Sequence, residues 1–504
     1  MFLHGRRQIF TDVKRITKDN LLLVLNDAFI IHERNVAEMD YLMRYERGDQ
    51  PLNREKEIRP EIDIQAQENH AAEITSFKIG YEFGSPVTFV QRAKVDAKSQ
   101  NKEPPEQGEK KDDIRISLLN EMMFEENKPA KDVQLARNFK ICGVGYRMFR
   151  AKRDIDGVAV FDMAIPNPLT TFVVYANDAY REPVLGVSYS VTADGRKIIG
   201  AYTKDTYFSL DIPTIGPAGG IKEEPNLIGE IPIIEYVNDY DRMGCFERVI
   251  PIMDALNVTN SDRVNDIAQY VQNILWMHNC QLDKEQKKVI QDGGVIITKS
   301  NGDGKEAKIA YVSAPLNQQE TQTLVDYQYE QVLQISGTPG REKTSGGNTG
   351  SAILLSNGWQ LAETQAKAME LVFSEAEKRS LRVVLAIIKK CKDDELPDVS
   401  MRDLRVSDIL VKFSRNKTYD LVSRVNALVT LVDRGFNLEK SVELVDISDD
   451  PLQFAIDSQE MVDKIRLSKK QESEQKSKAN VPVDGIENKT NESMQPSSVP
   501  NVDK

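Results

Sequence analysis

The longest amphipathic pattern in the chain runs from residue 352 to residue 391. Its apolar residues recur every three or four positions, so one face of a helix is apolar along the whole run. Neither glycine nor proline interrupts the sequence between Gly358 and Pro397. About forty residues at 1.5 Å each span roughly 60 Å. The pattern therefore predicts a helix that is longer than most single-domain cores and that serves an assembly.

A predicted helix and a glycine-rich loop precede this long helix. Residues 318–335 have helical periodicity, and residues 336–351 read SGTPGREKTSGGNTGS, with almost nothing to pack. A phosphate-binding loop would need glycine, four residues and then Gly-Lys-Ser/Thr, placed between a strand and a helix. Here Glu342 precedes Lys343, and the loop follows a helix. The spacing argues against nucleotide binding and favours a flexible, exposed loop.

The N-terminal half predicts a β-rich module framed by helices. Short β-type runs fill residues 146–236, with hairpin signatures at Asp156-Gly157 and Asp194-Gly195. Asp19 or Asn20 suits the N-cap of the helix predicted from residue 18. Pro251 is tolerated in the first turn of the helix predicted from residue 246. The helices are predicted over residues 18–45, 67–79, 114–126, 130–143 and 246–278. A strand is expected at 87–90, and the polar residues 93–113 predict an exposed loop.

The C-terminal half has its own short elements. Residues 280–316 contain two β-type runs around a flexible stretch and interrupt two helices, as an inserted tip would. After the long helix the pattern predicts a strand at 409–413 and helices over 420–434, 438–444 and 451–467. From residue 468 onward the chain is rich in Lys, Glu, Ser, Asn and Pro, which predicts a disordered tail.

Composition limits the class of protein. The 504 residues are 40% hydrophobic and 29% charged, which supports packed cores. The net charge of −12 argues against a general nucleic-acid binder, because phosphate affinity needs clustered Lys and Arg. The four cysteines form no C-x-x-C pair, so neither zinc nor a disulfide framework is indicated. No signal peptide or apolar run of membrane-span length is visible, so a soluble cytoplasmic product is expected.

Candidate catalytic patterns are weak. His32-Glu33 lacks a second histidine four residues on, and His278-Asn279 is followed by Cys280, so zinc-protease and His-Asn-His nuclease patterns both fail. Acidic clusters such as Asp239-Tyr240-Asp241 have no spacing that singles out a catalytic pair. The sequence therefore predicts a protein that is not an enzyme and that has no catalytic residue, metal site or cofactor.

Four stretches, taken in order, resemble the portal (head-to-tail connector) proteins of long-tailed, siphovirus-type bacteriophages. They are residues 45–90, with an Arg-Pro-Glu-Ile segment, Asn69-His70 and FKIGYEFGSPV; 168–189, PLTTFVVYANDAYREPVLGVSY; 228–275, with IGEIPIIEYVND and FERVIPIMDALNVTNSDRVNDIAQYVQNIL; and the chain from 335 onward, with ISGTPGREKTSGGNTGSAILLS. Each motif alone is weak, and their order and spacing carry the resemblance. The excursion at 93–113 departs from the family pattern.

The resemblance implies an α+β, multi-part portal fold assembled into a ring, usually a dodecamer. The implied parts are an outer α/β wing (1–240), stem helix 1 (241–278), an inserted α/β clip (279–317), stem helix 2 (318–335), a tunnel loop (336–351), the long bent helix with a wing return strand (352–415), a helical crown (416–470) and a disordered tail (471–504). Gly358 is the expected place for the bend in the long helix.

The family also implies a conduit for DNA. Double-stranded DNA would be packaged and ejected through the ring at one capsid vertex of the virion, after assembly in the host cytoplasm. The partners implied are the terminase large subunit, the head-completion and neck proteins, and the major capsid and scaffold proteins, with no membrane involved. The expected tunnel-loop contacts are Arg341, Lys343, Thr344, Ser345, Gly346, Gly347 and Asn348; the expected clip contacts are Asp283, Lys284, Lys299, Asn301, Asp303 and Lys305.

The charge and the loop composition agree with a channel through which DNA passes, rather than with a site that binds DNA tightly. An acidic wall repels phosphates, and the isolated Arg341 and Lys343 in a Gly/Ser/Thr loop would give transient contacts without sequence preference. Two alternatives stay open from the sequence: a Mg²⁺-dependent nuclease that uses the scattered carboxylates, and a cytoplasmic scaffold of long helices. The loop itself has a simpler interpretation, in which it only connects two helices.

Overall fold

A computed structural model describes residues 5–52, 61–92, 114–152, 157–213, 219–271, 274–278, 308–312, 318–340, 358–414, 421–445, 447, 454–455 and 458. The α-helices are α1 (Lys18–Glu46), α2 (His70–Phe83), α3 (Ile114–Glu125), α4 (Lys128–Cys142), α5 (Ile250–Val271), α6 (Gln318–Ser336), α7 (Trp359–Lys390), α8 (Leu421–Asp433) and α9 (Leu438–Val445). The predicted helix over 451–467 lies largely outside the described residues.

The strands form four sheets. They are β1 (Ile9–Thr11), β2 (Thr88–Gln91), β3 (Val144–Ala151), β4 (Phe161–Ala164), β5 (Thr171–Ala176), β6 (Pro183–Val191), β7 (Lys197–Tyr202), β8 (Thr206–Ile212), β9 (Lys222–Pro225), β10 (Ile233–Val237), β11 (Ile274–His278), β12 (Lys308–Val312) and β13 (Ile409–Lys412). The orders are β1-β5-β6-β7-β8-β9, β10-β3-β4, β11-β12 and β13-β2. The predicted β-rich module between residues 146 and 236 is thus confirmed.

The chain divides into two compact units. Residues 1–416 form the larger unit, which contains α1 to α7 and all the strands above. Residues 417–504 form the smaller unit, in which α8 packs against α9. None of the described helices is long and apolar enough to cross a membrane.

Helix α1 covers the six-stranded sheet with one apolar face. Leu21, Leu25 and Phe29 follow a spacing of four and are buried in a core shared with the inward side chains of β5 to β8. The helix begins after Thr17, whose backbone is extended, and the side chain of Asn20 accepts a hydrogen bond from the Thr17 amide. The N-cap is therefore Thr17, not Asp19 or Asn20, because Asn20 occupies the third helical position and closes a capping box.

His32 of α1 lies in this core in its neutral form. Its Nε2 atom is 3.2 Å from the carbonyl oxygen of Leu169 and 3.2 Å from the hydroxyl of Tyr189. Its ring centroid is 4.5 Å from that of Phe172. Burial lowers the pKa of His32 to about 4, because the charged imidazolium would lose its hydration. The interpretation of the histidines as ordinary structural residues holds here.

Helix α5 differs from its prediction at the C-terminal end. The predicted helix over 246–278 is wrong beyond Val271, since Ile274–His278 forms β11 and pairs antiparallel with β12. The β11 sequence ILWMH favours an extended conformation through Ile and Trp, and β12 supplies the backbone partners. A 3₁₀ turn over Glu247–Val249 precedes α5, and Pro251 occupies the first turn, as predicted.

A ladder of polar side chains on α5 holds an extended segment of the chain. Asn257, Ser261 and Asn265 follow a spacing of four and therefore lie on one face of α5. They bind alternate backbone groups of residues 64–68: Asn265 the amide and carbonyl of Ile64 at 2.8 Å, Ser261 those of Ala66, and Asn257 the amide of Glu68 at 2.8 Å. These side chains take the place of a neighbouring strand. They thereby attach the extended segment that precedes α2 to helix α5.

The long helix α7 is tied to the rest of its unit by a buried network of charges. Arg147 of β3 donates to Oε2 of Glu377 on α7 at 2.7 Å and also binds Asp132. Lys128 donates to Asp132 at 2.6 Å and lies 3.1 Å from Oε1 of Glu377. The Tyr236 hydroxyl donates to Glu377 at 2.6 Å. Two basic and two acidic side chains thus meet in a site with almost no exposure to solvent.

Opposing effects set the charge state of this network. Burial would raise the pKa of Glu377, but Arg147 and Lys128 outweigh it and hold that pKa at about 2. Glu377 therefore stays ionised at neutral pH. The network orders α7 against α4, β3 and β10, and the apolar face of α7, with Phe373, Leu381 and Val384, packs into the same core.

The described part of the predicted long helix begins at Trp359. Gly358 has a φ of +79°, which lies in the left-handed region, and the helix begins at Trp359. Gly358 thus directly precedes the first turn of α7. Residues 352–357, on the other side of the bend expected at Gly358, lie outside the described residues. At the other end, the predicted strand over 409–413 is confirmed as β13, which pairs antiparallel with β2.

Candidate functional site

The described residues define the base of the glycine-rich loop. All of the predicted loop contacts, from Arg341 to Asn348, lie outside the described residues, which resume at Gly358. The two flanks lie side by side, because a Cβ atom on Gly358 would be 3.7 Å from Cα of Pro339. The loop therefore leaves and returns at the same place, between the end of α6 and the start of α7.

Helix α6 ends in a glycine cap at the first flank. Gly337 has a φ of +66°, and its amide donates to the carbonyl of Gln334 at 3.2 Å. The amide of Thr338 donates to the carbonyl of Leu333 at 2.9 Å. These two bonds form a Schellman motif, which stops the helix and satisfies its last carbonyls. The Ser336 hydroxyl lies 3.0 Å from the Thr338 hydroxyl, and both residues are buried. The first residues of the loop, Ser336 to Thr338, are thus fixed to the end of α6.

Helix α2 is the platform on which both flanks rest. Lys78 donates to the carbonyl oxygen of Gly337 at 3.2 Å and to Oε1 of Gln365, on α7, at 2.6 Å. Tyr81 donates to Oε2 of Glu363 at 2.7 Å, which adds a second link to α7. Both residues lie on one face of α2, because they are three positions apart. The same face of α2 therefore binds the helix before the loop and the helix after it.

Two further contacts complete the platform. Tyr329 of α6 donates to Oε1 of Glu73 on α2 at 3.0 Å. The ring of Trp359, in the first turn of α7, packs edge-on against Phe77, with 5.8 Å between the ring centroids. Its centroid also lies 5.8 Å from that of Tyr81. These rings are only half-buried. They place the start of α7 directly on α2.

The electrostatics at Lys78 are unusual for a lysine. Burial lowers its pKa to about 8, Glu82 opposes the shift, and Lys140 adds to it. Glu82 is itself paired with Lys140, whose Nζ lies 2.5 Å away. Burial raises the pKa of the nearby Cys245 thiol. Lys78 is thus a buried ammonium group that donates to two neutral oxygens, where α2, α6 and α7 meet.

The predicted clip contacts lie outside the described residues, and the structure describes only the strands that flank them. All six, from Asp283 to Lys305, fall within residues 279–307. The pair β11–β12 brackets this segment, with His278 opposite Lys308 and Ile274 opposite Val312. Helices α5 and α6 pack together next to it, and Arg263 donates to Gln322 at 2.5 Å between them.

Sequence reasoning missed the residues that build the loop base. Lys78, Tyr81 and Gln365 had no assigned role, although FKIGYEFGSPV was one of the stretches that carried the resemblance. The available signal was the helical spacing of Glu73, Phe77 and Tyr81, three polar or aromatic side chains on one face of α2. Among the described residues no group of three or more His, Cys, Asp or Glu side chains is placed to hold a metal ion.

The fold is mixed α/β, and the base of the glycine-rich loop lies between the end of α6 and the start of α7. The family model described as phage portal protein, SPP1 Gp6-like, matches residues 28–476 of this chain. The chain therefore belongs to the phage portal protein family, which confirms the resemblance found in the sequence. That family is structural rather than enzymatic. No curated protein matches the chain.

Proposed function

We propose that this protein is the subunit of a ring-shaped channel at one vertex of the phage capsid, through which double-stranded DNA is packaged and later ejected. Membership of the portal family supports this function. The net charge of −12 also supports it, because an acidic channel wall repels phosphates and lowers the resistance to a moving duplex. The ring is proposed to be a dodecamer within the virion, assembled in the host cytoplasm.

The closed base of the glycine-rich loop is the observation that most directly supports a channel role. The described chain on either side of residues 341–357 meets at Pro339 and Gly358 and rests on α2, so both ends of the segment with the expected DNA contacts are fixed. Residues 336–351 are proposed to be the tunnel loop. Arg341 and Lys343 would contact DNA phosphates, and Thr344, Ser345, Gly346, Gly347 and Asn348 would allow close approach without sequence preference.

Partners are proposed for the two ends of the ring. The terminase large subunit would dock during packaging, and head-completion and neck proteins would then bind the clip, residues 279–317, through Asp283, Lys284, Lys299, Asn301, Asp303 and Lys305. The stem would consist of residues 241–278 and 318–335, the crown of 416–470, and the wing of 1–240 with a return through β13. Major capsid and scaffold proteins would surround the ring.

Replacing Arg341 and Lys343 together by alanine tests the loop. We expect rings to form normally, because neither residue is part of the loop base, while the DNA packaged per head falls by about threefold or more as phosphate contacts are lost. A matched control removes two exposed charges elsewhere, Arg382→Ala with Lys389→Ala on α7. Packaging equal to wild type in the loop variant would show that the loop merely connects two helices.

A further inference from the structure

Lys78 joins the two sides of the glycine-rich loop through one ammonium group. Its first acceptor, the carbonyl oxygen of Gly337, lies at the beginning of the loop, and its second, Oε1 of Gln365, lies after the loop in the second turn of α7. The two acceptor residues also lie next to each other, since a Cβ atom on Gly337 would overlap the side-chain amide of Gln365. Gly337, Gln365 and Lys78 therefore form one contact, and moving any of them disturbs the other two.

The ammonium has hydrogen-bond acceptors but no counter-ion of its own. Across the described part of the chain, no carboxylate forms a salt bridge with Lys78; Glu82, one turn further along α2, is paired with Lys140 at 2.5 Å. The Cys245 thiol, the other titratable group nearby, stays protonated at neutral pH because burial raises its pKa. Lys78 is only 5% exposed, so water cannot replace the missing counter-ion.

Two opposing contributions follow from this arrangement. Hydrogen bonds from an ammonium are roughly twice as strong as those between neutral groups, which favours the closed loop base. Burial of a cation without a carboxylate costs free energy, which favours its opening. Glutamate is nearly isosteric with glutamine, so a carboxylate at position 365 would keep the shape and add the counter-ion. The neutral Gln365 leaves an anchor that is specific in geometry but limited in strength.

We infer that Lys78 is a positioning residue: by binding Gly337 and Gln365 it fixes where the loop leaves and rejoins the subunit, and the neutral Gln365 keeps this anchor releasable. The inference rests on the proposed function, because the position of the loop matters to a channel only if the loop faces the DNA. Lys78 is buried on α2 and acts through the loop base, not by touching DNA. A releasable anchor would let the loop yield as the duplex advances.

Trp359 provides a spectroscopic signal for the test. The chain contains two tryptophans, so Trp276→Phe leaves Trp359 as the only one, at the loop base against Phe77 and Tyr81. In this background, assembled full-length rings carry Lys78→Met, Gln365→Glu or both. We expect acrylamide quenching of Trp359 to rise about threefold in Lys78→Met and to fall about twofold in Gln365→Glu, where the charges pair. In the double variant it should exceed the Lys78→Met value, because the buried carboxylate lacks its partner.

Three outcomes separate the inference from the proposed function. Equal quenching in all four proteins, or strictly additive effects, would overturn the role of Lys78. Non-additive quenching together with less DNA packaged per head in both single variants would support the inference and the proposed function. Non-additive quenching with unchanged packaging would support Lys78 as the anchor of the loop base and contradict the proposed contact between loop and DNA. If Lys78→Met failed to assemble, the isosteric Gln365→Glu would still decide, since unchanged quenching there would refute the inference.

Discussion

Replacing Arg147 by methionine is expected to lower the free energy of unfolding of the larger unit by about 3 to 5 kcal/mol, because it leaves buried carboxylates without their partner. Arg147 is fully buried and neutralises both Asp132 and Glu377. Once it is removed, Lys128 alone remains for two carboxylates. Methionine fills most of the space of the arginine stem, so the loss reports on charge more than on volume. Urea unfolding followed by circular dichroism measures it.

Arg150 supplies the matched control. It lies on the same strand, β3, and pairs with Asp162, but its side chain is 77% exposed. Because an exposed ion pair contributes at most about 1 kcal/mol, Arg150→Met should be nearly neutral. A loss of less than about 1 kcal/mol for Arg147→Met, equal to that of the control, would mean that the network does not fix α7 to α4 and β3.

Acidification from about pH 7 to about pH 4 is expected to remove about 3 kcal/mol of stability through His32 alone. The folded protein holds the pKa of His32 at about 4, below its ordinary value of 6.5. Between these two values the unfolded chain binds a proton that the folded chain does not, so stability falls as pH falls. The contribution is fully present above pH 6.5 and is lost by the time the pH reaches the folded pKa.

The variant His32→Gln isolates this contribution. Glutamine does not titrate, yet it can donate to the carbonyl oxygen of Leu169, as His32 does. Urea unfolding at several pH values, on wild type and variant, gives the difference between their stability profiles. The carboxylates titrate equally in both proteins and cancel in that difference. Parallel profiles, with no divergence below about pH 6.5, would show that His32 takes up its proton as readily in the folded state as in the unfolded chain.

Helices with a clear periodicity could be predicted from the sequence almost to the residue. The predicted 18–45 became Lys18–Glu46, and 318–335 became Gln318–Ser336, because caps and apolar spacing are local properties of the chain. The end of α5 could not be predicted in this way. Residues 274–278 continue an apolar run, and their extended state depends on pairing with Lys308–Val312, about thirty positions away. Sequence periodicity alone does not contain that partner.

The candidate site was predicted only in outline. The helices on either side of the glycine-rich loop were predicted, while the contacts of Lys78 between them were missed. Lys78 looks like any helical lysine in the sequence, and its partners Gly337 and Gln365 are more than 250 positions further on. Burial and the absence of a counter-ion emerge only when α2, α6 and α7 come together. Long-range polar contacts of this kind leave no local pattern to detect.

Negative-stain electron microscopy of the purified full-length protein tests the central proposal, a ring-shaped DNA channel, most directly. We expect closed rings with a stain-filled central hole wide enough for duplex DNA, about 20 Å or more across, in every well-oriented top view. The subunit count follows from the rotational symmetry of class averages. Monomers, filaments or compact particles without a hole, under conditions in which the protein is folded, would contradict the channel and favour a different role for the family fold in this chain.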